Sequence, residues 1–348
     1  MVRVRLTESD DSRQWDAYVL ANRDAGPYHL YAWRRAVEEA YGHKAFYLAA
    51  EDGEQRITGV LPLFLVKPPI LSGVLVSLPF CDYGGTLSSG AGVRDALHRA
   101  ARDQADRVHA KLELRLRDQD PSLGNEYHME EQSHKTRMVL ELPATSEELW
   151  NGFKSKLRSQ IKKPKKEGLE FVLGSGELVD DFYRVFTVNM HDLGSPVHSK
   201  TWIEAVVRAF GEKAHVGVVY AGSKPAAGGI IIEINDVVAI PWASALQEYS
   251  RSSPNMLLYW GFLTYACDHG CRRFDFGRST PGEGTYRFKE QWGARPFPLY
   301  WYGMGTGEAL QESISSGRLR ERITRIWARM PLSLADSVGP VLRRYITL

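Results

Sequence analysis

Charge and ring chemistry concentrate in the segment from Phe274 to Gly293, FDFGRSTPGEGTYRFKEQWG. Asp275, Arg278, Glu283, Arg287 and Lys289 stand there among aromatic residues and the glycines Gly277, Gly282 and Gly284. Such a stretch is too polar for a core strand and too aromatic for a solvent loop. The glycines let the backbone turn sharply or approach a ligand closely. A strand, a glycine-rich turn and a short helix carrying Lys289 would present charge at a cleft.

Three other constellations could join it. Pro79-Phe80-Cys81-Asp82-Tyr83-Gly84-Gly85 closes an apolar strand. Its glycines admit close backbone approach beside Asp82 and Tyr83, which suits a substrate wall, although a strand-ending turn explains them equally well. His191 and Asp192 are neighbours suited to acid–base work or anion binding, against the plainer reading of an inert loop histidine. Seven basic residues lie between Lys154 and Lys166, while Leu149, Phe153, Leu157 and Ile161 recur every four residues. That spacing predicts one helix, broken at Pro164, with an apolar seam and a basic face. Lys156, Arg158, Lys162 and Lys163 would suit the phosphates of tRNA, a nucleotide sugar or a lipid pyrophosphate; a solvated helix face is the alternative.

Several chemistries are excluded by pattern. There is no GxSxG elbow, no Gly-Lys-Ser/Thr of a P-loop and no HExxH. Cys267 and Cys271 have no second pair at metal spacing, so buried thiols are expected and no metal. Arg278 to Gly284 reads RxxxGxG, one residue longer than the RxxGxG turn of acetyl-CoA enzymes, a weak signal for CoA.

The elements that must hold these residues are legible from hydrophobic patterning. The chain has 348 residues, 43% hydrophobic and 25% charged, with net charge +2. The length favours two domains, and near-neutrality makes any polyanion site local. Three cysteines and a start lacking an apolar signal core point to reduced thiols in the cytoplasm. In the second half, strands are expected at 215–220, 226–235, 237–243, 272–276 and 297–302. Helices are expected at 255–268, opened by Pro254, and at 285–291. The first half follows the same order, with strands at 45–50, 57–66, 73–78 and 111–116 and a helix at 93–109. The offset is roughly 160 to 170 residues throughout, which suggests internal duplication. After Gly305, Arg318, Arg320, Arg322, Arg325 and Arg329 alternate with Leu319, Ile323, Ile326 and Trp327. This reads as a basic amphipathic helix ended by Pro331. It would either touch an anionic membrane surface or pack on the body with its basic face solvated.

From about Tyr28 to Tyr302 this order resembles the FemAB-like (Fem-type) acyl and aminoacyl transferases, built from tandem GNAT-like domains. The strings PFCDYGG, NMHDLGSPVHSK, PNMLLYW and FDFGRSTPGEGTYRFKEQWGA are closest to FemAB-related proteins of PEP-CTERM and exopolysaccharide loci. The resemblance implies transfer of an acyl or aminoacyl group onto an amine. The family's pattern of Phe-Lys, two residues, then aromatic-Gly is matched by Phe288, Lys289, Trp292 and Gly293. It implies that Lys289 lies at the reacting centre. A fixed cation there would stabilise the developing oxyanion, worth about 3 kcal/mol for one such donor. Two family positions that hold a peptidoglycan precursor depart: a lysine falls on Val37, near Arg34 and Arg35, and an arginine falls near His191.

The expectation is therefore an α+β chain of two tandem GNAT-like domains with mixed, mainly antiparallel sheets, residues 1–140 and 141–305. A basic helical tail would follow over 306–348. Lys289 would stabilise the oxyanion, and Asp275 or Asp82 would accept the amine proton. Tyr83, Gly84, His191, Asp192, Arg278, Tyr286, Phe288 and Trp292 would bind substrate. The donor would be aminoacyl-tRNA or acyl-CoA, with no tightly bound cofactor. The acceptor would be a small or lipid-linked amine of the cell envelope or an exopolysaccharide. The chain would be cytoplasmic, or peripheral at the inner membrane face. The alternative is a binding protein that keeps this fold without catalysis.

Overall fold

Apolar runs separated by turn residues build most of the second half. The computed structural model describes residues 2–69, 71–126, 129–131, 135–304 and 324–347. Its largest sheet has seven strands. In spatial order they are Leu169–Gly174, Ala214–Ala221, Lys224–Ile234, Val237–Ala245, Arg273–Ser279, Thr136–Glu141 and Arg295–Pro298. Gly222 and Asn235 take left-handed backbone (φ 62 and 51) at the two hairpin turns that the sequence marks. All pairings are antiparallel except Val237–Ala245 with Arg273–Ser279. A parallel pair needs a crossover, and the helix Pro254–Asp268 supplies it.

The first half repeats this device. Gly73–Val76 runs parallel to Ala110–Leu116, and the helix Ala91–Arg107 crosses between them. Its strands form a four-stranded and a six-stranded sheet rather than one. The expected strand at 57–66 is split into Ile57–Leu61 and Phe64–Val66, which belong to different sheets. Pro62 lies in the gap, where a missing N–H ends one ladder. The expected strand at 45–50 is split likewise.

Sheet membership does not follow chain order. Thr136–Glu141 completes the large second-half sheet, and Tyr300–Met304 returns to the first half between Ala110–Leu116 and Met129–Glu131. Each half thus contributes a strand to the other's sheet. The helices Tyr31–Tyr41 and Lys200–Phe210 also pack together across the halves. One core cluster runs from Tyr47 and Phe64 through Trp33 and Trp202 to Val216 and Ile230. A large apolar contact of this kind fixes the two halves relative to each other.

Two helical expectations are corrected. The basic segment forms two helices, Ser146–Gly152 and Ser155–Lys166, with the break at Phe153 and Lys154. Pro164 does not end the second one. It lies buried inside the last turn, at the cost of the one bond that an N–H there would donate to the Gln160 carbonyl. In the tail, 318–323 lie outside the described residues. Residues 324–329 are helical, and a further helix, Leu332–Arg343, begins directly after Pro331.

Trp33 is fully buried, 4.9 Å from the ring of Tyr28, 5.1 Å from Trp202 and 6.4 Å from Trp242. Trp33→Ala leaves a cavity where both halves meet. It is expected to cost about 3–5 kcal/mol, read as a fall in the denaturant midpoint of a single unfolding transition.

Candidate active site

The alternation Phe274-Asp275-Phe276 decides the geometry. In a strand successive side chains face opposite ways, so the two phenylalanines turn to the helix side and Asp275 to the other face. Phe276 stacks on Tyr259 of the crossover helix at 5.6 Å. Asp275, 2% exposed, meets groups from both halves. Its Oδ2 accepts the Tyr83 hydroxyl at 3.1 Å and lies 3.5 Å from the Arg137 guanidinium, while Oδ1 accepts the Gly277 N–H at 2.9 Å. Burial pushes the Tyr83 phenol up, and the neighbouring Asp275 adds to this, so Tyr83 stays protonated as the donor.

A bulge follows. Arg137 pairs with Arg278, yet Val139 pairs with Asp275, so Phe276 and Gly277 have no partners on that strand. Gly277 adopts φ 70, in the left-handed region that glycine tolerates, and a Cβ there would stand 3.2 Å from Asp82 Oδ2. The bulge turns two carbonyls toward the helix Gly284–Glu290. Lys289 Nζ donates to Gly277 O at 3.2 Å and Arg278 O at 2.7 Å. An ammonium has three N–H bonds, so one remains for a ligand. Lys289 is 8% exposed. Burial lowers its pKa to about 8, against the opposing pull of the carboxylates of Asp82 and Asp275.

Asp82 closes the centre from the first half. Its Oδ2 accepts the Arg278 N–H at 2.9 Å and its Oδ1 lies 3.5 Å from Arg278 Nε. Its side chain is 22% exposed, against 3% for Asp275. Asp275 is sealed and held by two hydrogen-bond donors and the Arg137 charge, whereas Asp82 is the more exposed carboxylate.

The strands also part here. Val237–Ala245 and Arg273–Ser279 pair only over Val237–Ala239 and Arg273–Asp275. Beyond that level the two strands are no longer paired, beside the bulge.

The fold thus brings Asp82, Tyr83, Asp275, Arg278 and Lys289 together, and other expected site residues sit elsewhere. Gly84 makes room for Leu78: a Cβ would meet that side chain at 2.2 Å. Trp292, 1% exposed, and Phe288 pack with Tyr259 and Phe153 in the second-half core, so they seat the Lys289 helix from behind. Tyr286 is half-buried against the same cluster. His191 Nε2 meets Met330 O at 2.7 Å, so His191 holds the tail, and its Nδ1 lies 3.9 Å from Asp192. Lys156 and Lys162 are exposed and Arg158 half-buried; Lys162 lies 5.4 Å over Trp150, and Lys163 pairs with Glu167 at 3.8 Å. Among the described residues no cluster suits a metal, and no helix is long and apolar enough to cross a membrane.

Arg137 is the residue that the sequence reading missed. It lies 4.9 Å over the Tyr83 ring as well as beside Asp275. Its signal was present: one arginine inside the apolar strand TRMVLE.

Residues 151–290 match the acetyltransferase (GNAT) domain family. No curated protein matches the chain in sequence. Among solved structures, FemX is similar at TM-score 0.69 and 15% identity, over 90% of this chain and 99% of that one. L-PGS from Bacillus licheniformis is similar at TM-score 0.59 and 11% identity, over 94% and 100%. The tandem GNAT protein from the clavulanic acid biosynthesis pathway is similar at TM-score 0.57 and 13% identity, over 89% and 100%. The fold is thus α+β in two GNAT-like halves, as the order of elements led one to expect.

Two outcomes are expected from this geometry. Lys289 should react with acetic anhydride along a pH curve with its midpoint near 8, read by peptide mass spectrometry, rather than near 10.5 as for an ordinary lysine. Asp275→Ala leaves the Arg137 charge buried without its carboxylate. It should cost about 3–5 kcal/mol in denaturant unfolding.

Proposed function

We propose that this chain is an N-acyl or aminoacyl transferase. It moves an activated acyl group from a tRNA ester or a CoA thioester to an amine of a cell-envelope or exopolysaccharide precursor. The observation that carries the reading is Lys289: a buried ammonium with two donors fixed on the bulge carbonyls and a third unspent, beside the open end of a strand ladder. The acceptor nitrogen attacks the acyl carbonyl, and a C–N bond forms as negative charge develops on oxygen. The Lys289 ammonium donates to that oxygen more strongly in the transition state than in the ground state, worth about 3 kcal/mol. Asp82, the more open carboxylate, takes the amine proton directly or through water. The tetrahedral species collapses, the C–O or C–S bond breaks, and the leaving alcohol or thiol carries off a proton. Asp275 orients Tyr83 and the bulge and touches no reacting atom.

The acceptor class rests on the resemblance of the site-bearing strings to exopolysaccharide-associated members, and on similarity in fold to FemX and L-PGS. Lys156, Arg158, Lys162 and Lys163 would meet donor phosphates. A depressed lysine in a finished polar cage favours catalysis over a binding protein of the same fold.

Lys289→Ala should slow transfer by about two orders of magnitude while circular dichroism stays native; full activity in that variant would remove the proposed role. Because the ammonium is the active form, the rate should decline as pH rises through about 8. Incubation with charged tRNA or with acyl-CoA, read by mass spectrometry, separates the donors. Loss on RNase treatment marks the first, and thiol release the second.

A second observation concerns location. Ile326 is 65% exposed, Leu334 49% and Val341 59%, and Leu193, 60% exposed, lies beside Gly194 where the tail packs at Thr324. Arg325 and Arg329 are exposed on the same segment. We propose that this tail rests on an anionic membrane surface, its apolar residues in the headgroup layer and its arginines on phosphate. Co-sedimentation with phosphatidylglycerol vesicles should exceed that with phosphatidylcholine and fall with salt. It should be lost in Ile326→Asp/Leu334→Asp; equal binding to both vesicle types sinks the idea.

A further inference from the structure

The loop that presents Asp82 is strained. Leu78 and Phe80 both adopt left-handed backbone, φ 59 and 67, although neither is glycine. Such conformations persist only where surrounding contacts over-determine them. Here the backbone groups are gripped from four separate places. Trp33 Nε1 donates to Pro79 O at 3.2 Å. Arg115 Nη1 donates to Cys81 O at 3.0 Å. Trp301 Nε1 donates to Asp82 O at 2.9 Å. The fourth grip comes from far along the chain: the Phe80 N–H donates to Thr347 O at 2.7 Å.

Arg115 joins two of these grips. It is fully buried and lies 5.0 Å over the Trp301 ring. Its Nε donates to Glu113 at 2.7 Å, and its remaining nitrogens reach Thr347 O at 2.8 Å and Thr347 Oγ1 at 2.9 Å. Thr347, 3% exposed, therefore offers its carbonyl and its hydroxyl to one guanidinium. The segment before it is anchored too. The Arg344 carbonyl meets His43 Nε2 at 2.7 Å, and the Arg344 side chain donates to Tyr41 O. A segment needed only to cover apolar surface would not require a buried arginine with two of its four acceptors on one threonine.

We propose that Thr347 is a positioning residue of the catalytic centre: through Arg115 and Phe80 it locks the strained loop and so holds Asp82 against Arg278 and beside Lys289. The C-terminal segment is on this view a working wall of the active site. This rests on the proposed roles of Asp82 and Lys289, so the test reads the centre with and without turnover.

The variants are Thr347→Val, which removes the hydroxyl acceptor, Thr347→Ser, which restores it, and a chain ended after Tyr345. Lys289 reactivity toward acetic anhydride is followed against pH, alongside kcat, KM and thermal midpoint. The groups facing that ammonium are the carboxylates of Asp82 and Asp275 and the guanidinium of Arg278. Once the loop loosens, water reaches the ammonium. The Lys289 midpoint should then rise by about one unit or more in Thr347→Val and in the shortened chain. In the same variants kcat should fall at least about tenfold with KM for the donor little changed. Thr347→Ser should match the parent in both. A lower thermal midpoint with the Lys289 curve and kcat unmoved overturns the proposal and leaves the transferase reading intact. Full turnover in Lys289→Ala overturns both. If the shortened chain does not fold, the Val and Ser pair decides alone.

Discussion

A buried carboxylate organises this molecule. Asp275 has almost no contact with water, so its charge is tolerable only while Arg137, Tyr83 and the Gly277 N–H all hold it. Those partners come from three places: a strand lent to the second sheet, a loop of the first half and the bulge beside Asp275 itself. Satisfying one acid therefore fixes the mutual placement of the halves at the point where the chemistry is proposed to occur. Loss of any partner would leave a charge or donor stranded in a low-dielectric setting, where the penalty is largest.

The bulge turns that constraint into a site. Two residues without partners on the neighbouring strand rotate the Gly277 and Arg278 carbonyls out of the ladder, and Lys289 occupies the space they face. The same distortion aims the Arg278 N–H at Asp82. An acid from the first half and an ammonium from the second are thus held on one short run of backbone. The aromatic packing of Phe288, Trp292 and Tyr259 behind the helix keeps the lysine from swinging away. Preorganisation of this kind lowers the reorganisation needed when charge develops.

Exchange of strands explains why this centre can be rigid. Thr136–Glu141 and Tyr300–Met304 each leave one half to complete the sheet of the other, and Trp301 on the returning strand also grips the Asp82 carbonyl. A hinge between the halves would have to break sheet ladders. The core shared through Trp33 and Trp202 adds to the same restraint.

The sequence by itself determined the repeated order of strands and crossover helices. It marked the hairpins at Gly222 and Asn235, the helix opened by Pro254, and the Phe-Lys motif that singled out Lys289. All but the last follow from local periodicity and turn chemistry, which a single chain displays openly; Lys289 was singled out by the resemblance to the Fem-type transferases. It also pointed to Asp82, Tyr83, Asp275 and Arg278, because polar residues stand beside glycines where a strand should end. Only the tertiary structure decided which of these meet. Phe288 and Trp292, expected at the pocket, pack against Tyr259 and Phe153, and Gly84 lies against Leu78, since an aromatic ring or a glycine serves either purpose. His191 looked like an acid–base group and proved to hold the tail. Arg115 and Thr347 gave no local signal of partnership, since they lie 232 residues apart. Side-chain pairing across such separations is set by which strands the fold exchanges and where the bulge falls, and neither is written in any one segment.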